Sequence, residues 1–329
     1  MPLINRCGGG GGTPQLCGQV ENFKAGLGNL SAILSWTAPI PDEDNSFVGA
    51  RIVRKIGSAP TGINDGTVVY EGTALTYTDT GLTAGATYYY RAFAYNAKKK
   101  YQTEYRVINI TAVYVRPNFA DNDWGSIIYA CHSGNVPDTW VAGDSKTMTI
   151  DGSDYMVDIV GKNHDTYTAG GIAPLTFGLH DCYGTKYPMN SSNTNSTGWD
   201  GSKMRTETLP AIFAKMPENI QNGIRAVNKL TATSGSSSTI KTASDKLFTF
   251  SEMEVNGSTT YSHTGEGKQY DYYKTGNSKV KNVGGTAFRW WLRSPGADDS
   301  YNFCAVDTGG SINIGYASYS YGVCFGFCF

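Results

Sequence analysis

The sequence predicts a mainly β protein in two modules, a β-sandwich followed by a mixed α+β domain. Three observations carry that prediction. Glycine is abundant, 40 of 329 residues, which is roughly 12% against ~7% in ordinary domains and points to many turns. Charged residues make up only 17% against ~25% on average, which leaves little material for long solvated helices. Over 19–115, period-two apolar runs and turn signals recur at the roughly 8–12-residue spacing of a sandwich, whereas 116–329 mixes such runs with helical spacing. The length fits two domains of ~100–200 residues.

Residues 1–18 carry the glycine run 8–12 and no apolar period, and are expected to form a tail. No Lys-Ser/Thr follows that run and no strand precedes it, so it is not a phosphate loop. The first residues lack the apolar region of a secretory signal, and no run approaches the ~18 apolar residues of a membrane span. The net charge of -1 argues against a nucleic-acid partner, which would call for a basic stripe.

Within 19–115, Ala32-Ile33-Leu34-Ser35-Trp36 alternates, and Pro39 and Pro41 end it. Ile52, Val53 and 68–70 mark further strands, and Thr78-Asp79-Thr80-Gly81-Leu82 reads as a turn cluster. Tyr88, Tyr90, Ala92 and Ala94 then share one face of a strand, with Tyr89, Arg91 and Phe93 on the other. The stretches Leu34-Ser35-Trp36-Thr37-Ala38-Pro39, Gly81-Leu82-Thr83-Ala84-Gly85-Ala86-Thr87-Tyr88 and Ala94-Tyr95-Asn96 resemble a fibronectin type III domain, with Ala84 where that family usually has Pro. The resemblance implies an immunoglobulin-like sandwich with Trp36 in its core and Tyr88 as the corner tyrosine. Such modules most often act as spacers.

In 116–329, Tyr155, Val157 and Ile159 alternate as a strand. Short helices are predicted over 209–213 and 220–230, followed by a Ser/Thr/Gly loop over 231–238. Leu247, Phe248 and Phe250 suggest a strand, and 287–292 a strong apolar one. At the end, Val323, Phe325, Phe327 and Phe329 share one strand face, with Cys324, Gly326 and Cys328 on the other. The Phe face is a core stripe, and the two Cys are small hydrophobes facing a second layer.

The segment 296–321 reads GADDSYNFCAVDTGGSINIGYASYSY. Four Gly, four Ser, four Tyr and two Asn give it the composition of an antibody-type binding loop, in which Tyr supplies stiff contact area and Ser and Gly adaptable hydrogen bonding. Three Asp and no base give it a net charge of -3. Lys, Glu, Gln, Met and Trp are absent from it, though each occurs elsewhere in the chain. None of the five is encoded by a codon that arises when adenines in AAC or AAT are randomised.

Trp290-Trp291-Leu292-Arg293-Ser294-Pro295, Asn302-Phe303-Cys304 and Gly322-Val323, together with the Phe-rich final strand, resemble the variable proteins of diversity-generating retroelements. Further upstream, Trp140 with Gly143-Asp144-Ser145, 161–165, Gly198-Trp199-Asp200-Gly201-Ser202-Lys203-Met204-Arg205 and Asp245-Lys246-Leu247-Phe248 resemble the phage-type version. The resemblance implies a C-type-lectin-like domain over 116–329 and a phage tail-fibre or receptor-binding protein of the virion, made in the host cytoplasm. It implies a framework of Trp290, Trp291, Leu292, Arg293, Phe303, Val306, Gly322, Val323, Phe325 and Phe327. The diversified, ligand-binding positions expected between them are Gly296, Asp298, Asp299, Tyr301, Ala305, Asp307, Ser311, Asn313, Gly315, Tyr316, Ser318, Tyr319 and Tyr321. The expected partners are a host bacterial surface protein or glycan and other tail proteins, with a homotrimer implied by related phage proteins.

The chemistry-bearing residues point away from catalysis. Seven cysteines with no C-x-x-C pair give no zinc-ribbon or thioredoxin signature, and reduced, buried thiols are expected. His180-Asp181-Cys182 and His164-Asp165 match no standard zinc or Cys/His spacing, so a scaffold role is expected for them. Arg293 is expected in a framework ion pair. No cofactor and no metal are implied. Two alternatives remain: a lectin-like adhesin of fixed specificity, and an oxidase of the formylglycine-generating kind built on Cys304, Cys324 and Cys328.

Overall fold

The structure is a computed structural model and describes residues 17–40, 46–104 and 106–329. The glycine run 8–12, Cys7 and Pro41 lie outside the described residues. The protein is mainly β, and the chain divides into two compact units, Met1–Val115 and Arg116–Phe329.

The first unit contains β1 (Glu21–Gly28), β2 (Ser31–Thr37), β3 (Phe47–Ile56), β4 (Thr67–Gly72), β5 (Thr76–Thr80), β6 (Thr87–Asn96) and β7 (Arg106–Thr111). They form two antiparallel sheets, ordered β1-β2-β5 and β4-β3-β6-β7. Between the sheets lie Leu34, Trp36, Ile52, Tyr90 and Ala92, the inward residues of alternating strands. Tyr88 is buried, and its hydroxyl accepts a 2.9 Å hydrogen bond from the Thr83 N–H. The expected turn over 78–82 begins only after Thr80, because Thr78, Asp79 and Thr80 belong to β5 and pair with β2. Asp79 is tolerated inside because Tyr90 donates to it at 2.8 Å and Arg54 pairs with it at 2.9 Å. Arg91 and Phe93, on the outer face of β6, are buried too, with the Arg91 guanidinium 4.7 Å above the Phe93 ring and donating to the Pro60 carbonyl.

The second unit opens with α1 (Trp124–Ser133), β8 (Ser145–Ile150), β9 (Ser153–Lys162), β10 (Leu175–Leu179) and β11 (Tyr183–Tyr187). There follow α2 (Leu209–Phe213), α3 (Glu218–Gly223), β12 (Val227–Ser234), β13 (Ser237–Asp245), β14 (Phe248–Thr249), α4 (Glu252–Asn256) and α5 (Asp271–Lys274). The remainder is β15 (Lys281–Val283), β16 (Thr286–Phe288), β17 (Trp290–Pro295), β18 (Asn302–Val306), β19 (Ile312–Tyr316), β20 (Tyr321–Val323) and β21 (Phe325–Cys328). Two five-stranded sheets result, β14-β21-β10-β9-β8 and β11-β20-β17-β18-β19, with β12-β13 and β15-β16 as separate hairpins. Local signals set the helix ends. The Asp123 side chain caps α1 by accepting from Ser126 N–H and Gly134 closes it in the left-handed conformation, whereas α2 continues without a cap from a π-helical segment at Met204–Thr208.

Three expectations for this unit change. The helix predicted over 220–230 ends at Gly223, and the loop predicted over 231–238 is mostly strand, because β12 and β13 form a hairpin that turns at 235–236. The Ser/Thr run reads as polar punctuation, yet Thr is β-branched and Thr231 and Ala232 are buried. The strand expected over 287–292 breaks at Arg289 into β16 and β17. The last strand is not continuous either: it changes sheet at Cys324, so β20 pairs with β17 and β11 while β21 pairs with β10 and β14.

This crossing strand ties the two sheets together. The Phe327 ring lies 5.4 Å from that of Phe177 and stacks at 23°, and Phe329 packs against Phe177 and Trp124 at 5.3 and 5.9 Å. Both Phe and all of 322–329 are buried. Phe327→Ala removes the centre of this aromatic cluster, and urea unfolding is expected to show a loss of about 3–5 kcal/mol.

Candidate functional site

The middle of the second sheet is β17, whose residues are all buried. Trp290 and Trp291 hydrogen-bond through their indole N–H groups to the carbonyls of Lys279 and Tyr187, at 3.0 and 2.8 Å. Arg293 lies in the same strand with no exposure, and its guanidinium pairs with both Glu254 oxygens at 2.5 and 2.8 Å. It also donates to the carbonyls of Leu230 and Thr249. Glu254 belongs to the capping box of α4 with Ser251 and receives Lys229 at 2.7 Å. Lys229 in turn holds Asp165 at 2.7 Å and the Tyr270 hydroxyl at 2.8 Å.

Burial alone would push Asp165 and Glu254 up. Lys229 for Asp165, and Arg293 with Lys229 for Glu254, outweigh it and hold both below the ordinary carboxylate range. The neighbouring Glu266 has no such partner of its own, and burial pushes it up. A cleft of ≈ 570 Å³ lies against His164, Asp165, Lys229 and Glu254, but the floor charges are already paired with one another, so they serve as scaffold.

Outside this core, β17, β18 and β19 run side by side. Trp291 pairs with Ala305 and Ala305 with Asn313, while Asn302 pairs with Tyr316 at the far end of the hairpin. The framework implied by the resemblance, from Trp290 to Phe327, is buried at every position. The thirteen expected ligand positions divide. At one end of the hairpin the structure gathers Asp298, Asp299, Tyr301, Tyr316, Ser318, Tyr319 and Tyr321. Tyr301, Tyr316 and Tyr319 are 55%, 44% and 50% exposed, which makes them the main accessible aromatic area of the segment. The Tyr316 and Tyr319 rings meet edge to face at 5.3 Å, Tyr319 reaches Tyr321 at 6.3 Å, and Tyr321 stacks on buried Trp291 at 4.3 Å. Asp307 and Ser311 sit at the opposite end of the hairpin, and Asn313 lies half-buried between the two groups.

Gly296, Ala305 and Gly315 are corrections, because all three are buried and cannot present a side chain to a ligand. Ala305 lies in a strand flanked on both sides, on the face it shares with Trp291. Gly315 lies under the Tyr321 ring, where a Cβ would come within 2.5 Å of Cε2. Gly296 closes the loop, donating to the Asn302 carbonyl at 2.9 Å.

Sequence reading missed the residues that hold this end of the hairpin. Asn195 donates to the carbonyls of Asp299 and Asn302, both at 2.8 Å. Asn193 accepts from the Ser318 N–H at 3.2 Å and from the Ser318 hydroxyl. Both lie in the run Asn190-Ser191-Ser192-Asn193-Thr194-Asn195, where composition signals only a loop.

The six described cysteines are buried and form no disulfide, and burial pushes Cys324 up to about 11 and Cys304 well above the ordinary thiol range, which disfavours the thiolate at both. Among the described residues no group of three His, Cys, Asp or Glu could hold a metal ion. His180 Nδ1 pairs with buried Asp158 at 2.8 Å, and Asp158 also accepts from the Ser145 hydroxyl. His164 stacks on Tyr270.

With this geometry in hand, comparison with known proteins adds little about chemistry. Residues 175–328, just under half of the chain, match a family model described as a domain of unknown function (DUF6273). No curated protein matches. Among solved structures, the chain is similar to the third fibronectin III domain of human KIAA0343 protein at 17% identity, covering 34% of this chain and 97% of that one with a TM-score of 0.24. It is similar to the Clostridium perfringens spore cortex lytic enzyme SleM at 14% identity over 29% of this chain and 28% of that one, with a TM-score of 0.23. A twitchin kinase region from C. elegans matches at 19% identity over 30% of this chain and 17% of that one, with a TM-score of 0.22.

Two outcomes test the electrostatics. Arg293→Met leaves Glu254 buried with one of its two cations gone, and chemical denaturation is expected to show about 3–5 kcal/mol lost. The Asp158 hydrogen bond raises the His180 pKa and outweighs its partial burial, so an NMR titration of the His180 ring is expected to give a midpoint above the ordinary ~6.5. The charge contribution of this pair is then fully present below ~6.5 and is lost as pH rises through the higher folded value.

Proposed function

We propose that the chain is a binding protein, the receptor-binding component of a phage tail, whose ligand face is the Tyr-rich end of the β18–β19 hairpin. One observation carries this reading: the framework residues from Trp290 to Phe327 are buried, while Asp298, Tyr301, Tyr316 and Tyr319 point into solvent at one end of the hairpin. Rigid support beneath adaptable, amphipathic side chains is how a paratope is organised. The sequence resemblance then assigns the second unit a C-type-lectin-like fold and its exposed positions to diversification by a retroelement. The three-plus-four strand order of the first unit and its Tyr88 corner bond favour a fibronectin type III-like spacer, which would hold the binding unit away from the virion.

The chemistry suits a host surface protein or glycan that offers hydroxyl or basic groups. The tyrosine edges and hydroxyls supply stacking and hydrogen bonds, and Asp298 and Asp299 supply negative charge. An enzymatic reading has no support in the buried, protonated thiols. A single small face of this kind binds weakly, so several copies, as in a trimer at a fibre tip, would supply avidity.

The test is a triple replacement, Tyr301→Ala with Tyr316→Ala and Tyr319→Ala. All three side chains are half or more exposed, or nearly so, so the melting temperature is expected to stay close to that of the parent. Attachment to host cells, measured by flow cytometry of labelled protein, is expected to fall at least about tenfold, in line with loss of aromatic anchors. Undiminished attachment would place the ligand elsewhere on the molecule.

A further inference from the structure

The loop that carries Asp298, Asp299 and Tyr301 is held by its backbone, from outside. Asn195 has no exposure. Its side-chain amide nitrogen donates to the carbonyls of Asp299 and Asn302 at 2.8 Å and lies 3.4 Å from that of Gly296. Its side-chain oxygen accepts from the Gly235 N–H at 3.2 Å, and its own backbone N–H donates to the Ser300 carbonyl at 2.9 Å. Gly235, at the turn of the β12–β13 hairpin, closes the ring by accepting from the Asp298 N–H at 2.9 Å. A Cβ at Gly235 would overlap the carbonyl oxygens of Asp299 and Gly296, so only glycine lets the two backbones meet. The Ala297 N–H is taken by the Tyr261 carbonyl at 2.6 Å.

These anchors outside the loop bind main-chain atoms and ignore side chains. Loop shape is therefore independent of the side chains at 300 and 301; at 298 the backbone is left-handed, φ 57°, which Asp, Asn or Gly adopts most readily, and the Asp299 carboxylate makes a turn with the N–H groups of Tyr301 and Asn302. We infer that Asn195 is a positioning residue for the ligand face: by clamping the 296–302 backbone it lets the side chains there be exchanged without loss of the loop's conformation. This rests on reading that end of the hairpin as the ligand face, but the clamp itself is tested without any ligand.

The experiment is native-state hydrogen exchange on the full chain, comparing the amides of Gly296, Ala297 and Asp298 with those of Ile159 and Phe177 in the distant sheet. Asn195→Ala is expected to speed exchange at the three loop amides by about tenfold or more, the loss of at least one hydrogen bond's worth of protection, and to leave Ile159 and Phe177 unchanged. Asn195→Asp keeps the side-chain oxygens that can receive Gly235 but puts a carboxylate opposite the loop carbonyls. At neutral pH its loop is expected to exchange as in N195A. On acidification, after correction for the intrinsic rate, protection is expected to return as the carboxyl regains an O–H donor, a pH profile that loss of packing alone cannot give. In the parent background, Asp298→Asn, which keeps a residue suited to the left-handed backbone there, and Tyr301→Arg are expected to leave loop exchange within about twofold.

Should N195A open the whole unit, Gly235→Ala serves as the second probe, since one added methyl group displaces the loop from the other side. Its expected result is the same local acceleration. Unchanged loop protection in N195A, global opening in both variants, or loop opening by Asp298→Asn and Tyr301→Arg as large as that by N195A would each overturn the inference. If the loop opens as expected but the tyrosine triple variant still attaches to cells, the clamp stands and the assignment of the ligand face fails.

Discussion

The buried ion network of Arg293, Glu254, Lys229 and Asp165 is the constraint on which the second unit depends. Two cations and two carboxylates lie out of water, each within 2.5–2.7 Å of an opposite charge. A lone buried charge is costly, and these are tolerable because every one has a partner and further hydrogen bonds. The network joins elements far apart in sequence: the segment after β9, the hairpin strand β12, the capping box of α4 and the central strand β17. No one of these can shift without stranding a charge. The strand that supports the exposed hairpin end is thereby fixed in depth, and Trp290 and Trp291 are fixed with it. Glu266 adds a further buried carboxyl, which burial pushes up against the pull of Arg293 and which accepts from the Ala232 N–H at 2.7 Å.

Exposed groups and folding groups are separated in this arrangement. The framework side chains from Trp290 to Phe327 are buried, so their substitution is felt in stability. Tyr301, Tyr316 and Tyr319 make few demands on the fold and offer large, stiff surfaces to a partner. Tyr321 is intermediate, because its ring stacks on Trp291 and covers Gly315 while Arg289 donates to its hydroxyl at 3.2 Å. Changing Tyr321 therefore mixes a packing effect with a binding effect, which the other three tyrosines avoid.

Much of this was legible in the sequence, and the failures share a cause. The alternation of Ala32 to Trp36 and of Tyr88 to Ala94 located β2 and β6, because a half-buried strand leaves a period of two. Helix α2 was legible from the apolar run Leu209-Pro210-Ala211-Ile212-Phe213, while the π-helical segment Met204–Thr208 that leads into it was not. The hairpin over 227–245 was not, because its inward residues are Lys229 and Thr231, which count as polar until Asp165, Glu254 and Glu266 are placed beside them. The break at Cys324 was hidden for the opposite reason: both faces of 323–329 are buried, so no alternation marks where the chain leaves one sheet for the other. At the candidate site, composition singled out 296–321 but could not tell Ala305 and Gly315 from their exposed neighbours, since small residues suit both a binding loop and a tight strand contact. Asn195 carried no signal, because its role comes from carbonyls more than one hundred residues away in the chain.

The same distinction bears on which positions can vary. A surface residue that touches nothing essential changes stability by roughly 0.5 kcal/mol or less, whatever replaces it. Tyr301, Tyr316 and Tyr319 meet that condition by exposure, whereas exposed Asp298 meets it only for residues that accept its left-handed backbone, φ 57°. Gly296, Ala305 and Gly315 do not. At Gly315 any larger side chain must displace the Tyr321 ring, and Ala305 has a strand on either side and no exposure. If a diversifying process acts on the codons of this segment, folding filters its products unequally: most changes at the exposed end of the hairpin survive, and most at the three buried positions are lost before a ligand is met. A repertoire drawn from this scaffold should then be broad in its tyrosine-bearing turns and nearly invariant in the strands between them.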